Sequence, residues 1–208
     1  MNKKTLVYTL VVLVAVLLVG YFFVKPMLQD RTIVTDTMQR IDNKDLDFSF
    51  AFPSGEGALT SIESTPEQLA GTPLQHMYVL MENKAYLEFQ SAPSGQMKTP
   101  PAISVLVFNE TEEDQTAATG APTAYDKIRL WANKNDGYTN ISSARDGVEE
   151  LKIDGVPSVR YANQGLYKQN VSIARTGGRF YLIVGQYETE GDYLSTVYQD
   201  LIDSIIFE

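Results

Sequence analysis

The pattern of apolar and polar positions divides this chain into three regions. Leu6 to Val24 runs nineteen residues without a charge, between Lys3 and Lys4 on one side and Lys25-Pro26 on the other. As a helix it would be roughly 28 Å long, against the ~30 Å hydrocarbon core of a bilayer. Next comes a polar stretch, Pro26 to Leu46, where Ile33, Val34 and Ile41 are too sparse to build a face. The third region, from Asp47 onward, switches between strand-like and helix-like periods and reads as a folded domain.

Within that domain Phe48-Ser49-Phe50-Ala51-Phe52 alternates as a half-buried strand does, and Pro53-Ser54-Gly55 ends it. Leu59–Glu63 pairs next. His76–Glu82 and Lys84–Gln90 form two strand-like runs about a turn at Asn83, and a Pro/Gly/Ser loop follows from Ala92 to Pro101. Ile103–Phe108 is almost continuously apolar, the mark of a central strand covered on both faces. Glu110–Pro122 reads as an acidic loop. Thr123 and Asp126 then make a capping box ahead of Tyr125, Ile128, Trp131 and Ala132 at helical spacing.

Val148–Ile153, Val156–Asn163, Leu166–Arg175 and Arg179–Tyr187 are separated by Asp154-Gly155, Gln164-Gly165 and Thr176-Gly177-Gly178, which predicts a four-strand antiparallel meander. Asp192 caps a last helix. Its stripe of Leu194, Val197, Tyr198, Leu201, Ile202 and Ile205 must lie on the sheet. The fold class expected is α+β: an antiparallel β-sheet with helices packed on it, preceded by one N-terminal transmembrane helix. Residues 1–25 are the expected anchor, 26–46 a linker and 47–208 the globular domain. A flexible linker of that length would separate domain and membrane by about 25 Å.

Three segments bring a family resemblance. Asp47–Gly55, Ile153-Asp154-Gly155-Val156-Pro157-Ser158-Val159-Arg160-Tyr161, and Leu201–Phe207 resemble, in that order, the opening strand, middle hairpin and closing helix-to-strand exit of PsbP-type domains. That group is named for an extrinsic subunit of photosystem II, has many bacterial relatives, and shares its fold with nuclear Ran-binding proteins. The resemblance implies a PsbP-like α/β/α sandwich and an accessory, non-enzymatic role, here in a membrane-anchored bacterial relative. Gly71–Pro101 reads as an insertion against the compact pattern.

Charge narrows the classes further. Setting aside the three lysines of residues 1–25 leaves 14 basic against 26 acidic side chains, a net −12. Such a surface repels nucleic-acid phosphates and anionic lipid, so no nucleic-acid partner is expected. The apolar run lacks the small-x-small end of a cleaved signal, since Gly20 is followed by Tyr21, Phe22 and Phe23. The chain has no cysteine, which rules out a lipoprotein anchor, disulfides and thiol chemistry. The short basic tail places the N-terminus in the cytoplasm and the domain outside, as a single-pass membrane protein.

Candidate chemistry is sparse. His76 is the single histidine, and no serine sits in a nucleophile elbow, since Phe52 stands where an elbow at Ser54 needs glycine. Gly55-Glu56-Gly57 lacks the third glycine and the helix of a dinucleotide loop. Asp42, Asp45 and Asp47, and Glu110, Glu112, Glu113 and Asp114, are the acidic clusters; neither has calcium-loop spacing. Tyr161, Tyr167, Tyr181 and Tyr187 could form an aromatic platform, although core packing suits strand tyrosines better. Trp131 reads as a sheet-facing anchor. Asn109, Asn140 and Asn170 head glycosylation sequons that matter only in a eukaryotic secretory route. No catalytic, cofactor-binding or metal-ligating residue is assigned. The function expected is a tethered extracytoplasmic domain binding a protein partner or small ligand. The alternatives are an extracytoplasmic hydrolase with an unrecognised carboxylate site, or a pilin-like subunit.

Overall fold

The computed structural model describes residues 37–55, 57–93 and 98–208. The Leu6–Val24 run therefore lies outside the described residues. Among those described, no helix is long and apolar enough to cross a membrane.

Among the described residues ten strands form one mixed sheet: β1 (Thr37–Asn43), β2 (Phe48–Ser54), β3 (Leu59–Ser64), β4 (Leu74–Glu82), β5 (Ile103–Asn109), β6 (Glu149–Ile153), β7 (Val156–Gln164), β8 (Lys168–Thr176), β9 (Arg179–Tyr187) and β10 (Ile206–Phe207). Their order is β1-β2-β3-β4-β5-β9-β8-β7-β6, with β10 beside β2. Every pairing is antiparallel except the single bridge between Ser54 and Leu59. The expected four-strand meander is β6 to β9. Its Asp154-Gly155 turn has positive φ at both residues, 47° and 77°, as a two-residue hairpin requires.

Among the described residues five helices follow their own logic: α1 (Asn83–Ser91), α2 (Glu112–Ala118), α3 (Ala124–Lys134), α4 (Asp136–Thr139) and α5 (Tyr193–Ser204). Asp192 accepts the Ser195 N–H and so starts α5. The α5 stripe from Leu194 to Ile205 is buried on one face of the sheet with Phe48, Phe50, Phe52, Tyr181 and Ile183. On the other face Ile128, Trp131 and Ala132 of α3 pack with Phe108, Val159, Tyr161, Ile173 and Phe180. The layers are thus helix, sheet, helix.

Four readings need correction. Residues 37–46, expected in the linker, form β1 and a 3-10 turn at Lys44–Leu46 whose Leu46 is buried. β1 is an exposed edge strand, so it needs no apolar alternation. Lys84–Gln90 is helix α1 rather than a strand. None of its residues is buried, so no face selects between the two periods. The stretch 71–101 is no simple insertion, because β4 lies inside the sheet between β3 and β5. Within Glu110–Pro122, Thr111 and Asp114 form a capping box, and Glu112, Glu113 and Asp114 fill the first turn of α2. Acids there favour a helix by facing its positive end.

Candidate functional site

The expected acidic clusters hold cations of this chain. Arg179 donates to the Asp45 carbonyl at 2.9 Å and reaches the Asp47 carboxylate at 3.5 Å. Arg175 grips both Glu110 oxygens, at 2.7 and 2.8 Å. Lys134 bridges Glu113 and Asp114 at 2.8 and 2.9 Å. Burial pushes the Asp114 carboxyl up, but hydrogen bonds from Lys134 and Thr111 outweigh it and hold the group below its ordinary range. Among the described residues no three metal-ligating side chains converge.

His76 is buried on β4, its ring stacked on Tyr78 and its Nε2 2.6 Å from Glu63 Oε1. It packs, as expected. The four tyrosines are buried as well, and each hydroxyl donates to an acceptor: Tyr161 to Thr139 O (2.6 Å), Tyr167 to Thr99 O (2.8 Å), Tyr181 to Leu46 O (2.7 Å) and Tyr187 to Asn170 Oδ1 (3.1 Å). The Tyr161 and Tyr181 bonds fasten α4 and the Lys44–Leu46 turn to the sheet, the Tyr167 bond ties the β7–β8 turn to the loop before β5, and the Tyr187 bond links β9 to β8. Burial raises the Tyr161, Tyr181 and Tyr187 phenols, so none is poised to ionise. Trp131 is sheet-facing and stacks on Phe180 with ring centres 4.3 Å apart.

Among the described residues one carboxylate stands above its ordinary range. Burial raises Glu82, helped by the negative charges of Asp192 and Glu188. A hydrolytic pair needs a second free carboxylate beside it. Of its two acidic neighbours Asp192 is already committed, accepting the Glu188, Thr189 and Ser195 N–H groups, and the Glu188 side chain is exposed beyond the end of β9.

The arrangement most suited to a ligand is a cavity of about 400 Å³ at the β6–β8 side of the sheet. Strand register builds it. Arg160 on β7 lies opposite Glu149 of β6 and Ser172 of β8, and Ala162 lies opposite Asn170. Arg160, Glu149 and Asn170 line the cavity together with Asp146 of the loop entering β6. Behind it, Arg160 Nε donates to Ser172 Oγ (3.4 Å), and Ser172 Oγ lies 2.7 Å from Tyr198 OH of α5. Both hydroxyls are buried, and burial lifts the Tyr198 phenol to about 12. Ser172 is therefore a fully enclosed prop for Arg160, with no base beside it and no access for a substrate.

Among the described residues no carboxylate approaches Arg160 within ion-pair distance. A propped guanidinium with an amide beside it and carboxylates at the rim can receive an acceptor oxygen and a neighbouring donor at once. The sequence reading missed this site. Arg160 stood in the Ile153–Tyr161 hairpin, and its alternation gave the face it shares with Ser158 and Ala162. The part of that face left uncovered by α5 had no signal in the chain. A smaller cavity, about 250 Å³, lies where Lys98, Gln164, Leu166, Lys168 and Glu188 surround Tyr167. The Lys98 ammonium sits 4.2 Å over that ring.

No family model matches the sequence, and no curated protein matches it either. Its structure is similar to the solution structure of cyanobacterial PsbP (CyanoP) from Synechocystis sp. PCC 6803. That match has a TM-score of 0.51 and 12% identity, covering 83% of this chain and 94% of that one. A crystal structure from Bacteroides thetaiotaomicron VPI-5482 matches with a TM-score of 0.44 and 12% identity, over 82% of this chain and 48% of that one. The fold is PsbP-like.

Proposed function

We propose that this chain is a membrane-anchored, extracytoplasmic, non-enzymatic accessory domain that holds a protein partner or small ligand in the Arg160 cleft. The observation that carries the reading is the state of Arg160. Arg129, Arg175, Arg179 and Lys134 each have a carboxylate within 4 Å, while Arg160, like Arg40 and Arg145, has none at that distance among the described residues, and Arg160 lines a cavity whose rim carries Asp146 and Glu149. The ligand group that suits it is a carboxylate or carbonyl, such as an acidic side chain or chain terminus of a partner. The PsbP-like fold supports the accessory role, and the charge-free Leu6–Val24 run with its basic tail supports the anchor and the orientation.

A photo-crosslinking residue at Glu149, on the rim, tests the cleft in intact cells. One discrete adduct is expected, lost when Arg160→Ala is added and kept with Arg160→Lys at reduced yield. An adduct indifferent to Arg160→Ala would move the binding surface elsewhere. Turnover of an ester, glycan or peptide by the purified protein, abolished by Glu82→Gln, would replace the accessory reading with the hydrolase. The anchor is tested by intact mass after membrane extraction; a mature chain starting near Val24 would remove it. Protease added to spheroplasts should digest the domain, and protection until lysis would reverse the orientation.

A further inference from the structure

The strands that build the Arg160 cleft carry opposite charges in register. Glu149 of β6 lies directly opposite Arg160 of β7, so their side chains share one face of the sheet with Cβ atoms roughly 5 Å apart. Along the same face Leu151, Ile153 and Val156 pack into the core beneath α5. Glu150, on the other face, is closed by Arg129 at 2.7 Å. Glu149 and Arg160 have the reach for a bond of the same kind, yet among the described residues no ion pair joins them. The guanidinium turns instead toward β8, where its Nε donates to Ser172 Oγ at 3.4 Å.

The space between the two charges has its own lining. Ala162, next after Arg160 on that face, contributes only a methyl group. Arg145 donates its backbone N–H to Ala162 O at 3.0 Å, which fastens the loop before β6 and holds Asp146 beside the cavity. Asn170 lies opposite Ala162 and accepts the Tyr187 hydroxyl at its Oδ1, so its Nδ2 remains as a donor. The cavity of about 400 Å³ therefore has a donor side, Arg160 with Asn170, and an acceptor side, Asp146 with Glu149. A ligand with one charge is attracted by one side and repelled by the other.

We infer that the Arg160 cleft takes a small zwitterion with an α-amino acid headgroup, its carboxylate on Arg160 and Asn170 and its ammonium on Asp146 and Glu149. The inference rests on the cleft reading above and selects the small ligand over the protein partner. In such a headgroup one carbon separates the ammonium nitrogen from the carboxylate carbon, which suits donors and acceptors issuing from opposite positions of neighbouring strands. The carboxylate accepts two parallel bonds from a guanidinium, and the ammonium has three donors to divide between two carboxylates. The volume leaves room for a side chain beyond the headgroup. The C-terminus of a protein partner offers the carboxylate alone and leaves Asp146 and Glu149 unanswered.

Equilibrium dialysis of the full chain in a nonionic detergent tests this. The probes are an equimolar pool of the standard amino acids, the matching N-acetyl pool, which lacks the ammonium, and the matching amide pool, which lacks the carboxylate. Mass spectrometry measures each compound in both chambers. At least one free amino acid is expected to concentrate with the protein, its affinity falling about tenfold on acetylation or amidation, the effect of losing one charged hydrogen bond. Asp146→Asn combined with Glu149→Gln, both exposed positions, should weaken the free amino acid by a similar factor without weakening its N-acetyl form. Equal retention of free and acetylated forms, both lost in Arg160→Ala, overturns the zwitterion and leaves the cleft as a carboxylate site. Retention indifferent to Arg160→Ala overturns the inference and places the bound amino acid outside the cleft. Retention of no pool also overturns the inference, and the crosslink from position 149 then separates the two readings: an adduct that depends on Arg160 keeps the cleft, and its absence removes both.

Discussion

The two faces of the sheet hold their helices by different means. α5 is seated by shape: Leu194, Val197, Leu201, Ile202 and Ile205 sink among three phenylalanines of β2. Tyr198 lies flat on β9 because Gly185 has no Cβ; one built there would stand 2.7 Å from Tyr198 Cγ. α3 is seated by one large ring and by charge. Trp131 lies parallel to Phe180 and edge-on to Phe108, while Arg129 and Lys134 tie the helix to Glu150, Glu113 and Asp114. Among the described residues α5 has no ion pair. Damage under α5 should therefore scale with volume and buried charge. Under α3 it should concentrate in Trp131 and depend on pH.

The sharpest way to break this contrast is Leu201→Asp. It buries an unpaired carboxylate beneath α5 and should cost on the order of 5 kcal/mol, enough to leave the domain largely unfolded. A denaturation midpoint close to that of the parent protein would refute the packing under α5. Trp131→Ala comes next, at about 3–4 kcal/mol by urea titration, with α5 still in place. A loss below about 1 kcal/mol would show that the α3 face spreads its contacts as the other face does.

Gly185→Ala should cost about 1–3 kcal/mol, because the new methyl overlaps the Tyr198 ring and the helix must lift. Tyr198→Ala removes that obstacle, so the pair should cost clearly less than the sum of the two single changes. Simple additivity would mean that Gly185 matters for reasons other than close approach.

Asp114→Ala is the smallest, at about 1 kcal/mol near pH 7, from the lost helix cap and the contact with Lys134. Its pH dependence separates the two faces. The folded Asp114 carboxylate titrates below its ordinary value, so its contribution is complete above the unfolded pKa of ~4. It fades as pH falls further, because the unfolded chain takes up a proton that the folded one refuses. The variant should lose part of the acid-side slope in stability. An unchanged slope would assign the acid sensitivity to other carboxylates.

The α5 face was easier to read in the sequence than the rest. The stripe from Leu194 to Ile205, the turns at Asp154-Gly155 and Thr176-Gly177-Gly178, and the apolar β5 all combine a strong period with distinct punctuation. Elements without a buried face escaped. β1 is a polar edge strand, and α1 has the Tyr86-Leu87-Glu88-Phe89 alternation of a strand but nothing over it to enforce that period. α2 carried the same cap signature as α3, Thr111 and Asp114 against Thr123 and Asp126, but its acids suggested a solvated loop. Arg160 was legible as a strand residue and invisible as a site, because its exposure depends on how far α5 extends across a sheet wider than one helix.

The position of β2 also has a consequence for the order of assembly. Its Ala51 amide and carbonyl both engage the Ser204 hydroxyl, 153 residues further along the chain, and β10 lies against Phe48 and Ser49. During synthesis Phe48, Phe50 and Phe52 emerge early and wait for α5 and β10, which come last. Until then that apolar segment lacks the cover of its helix. The core on that face of the sheet is complete only once the final helix and strand are in place.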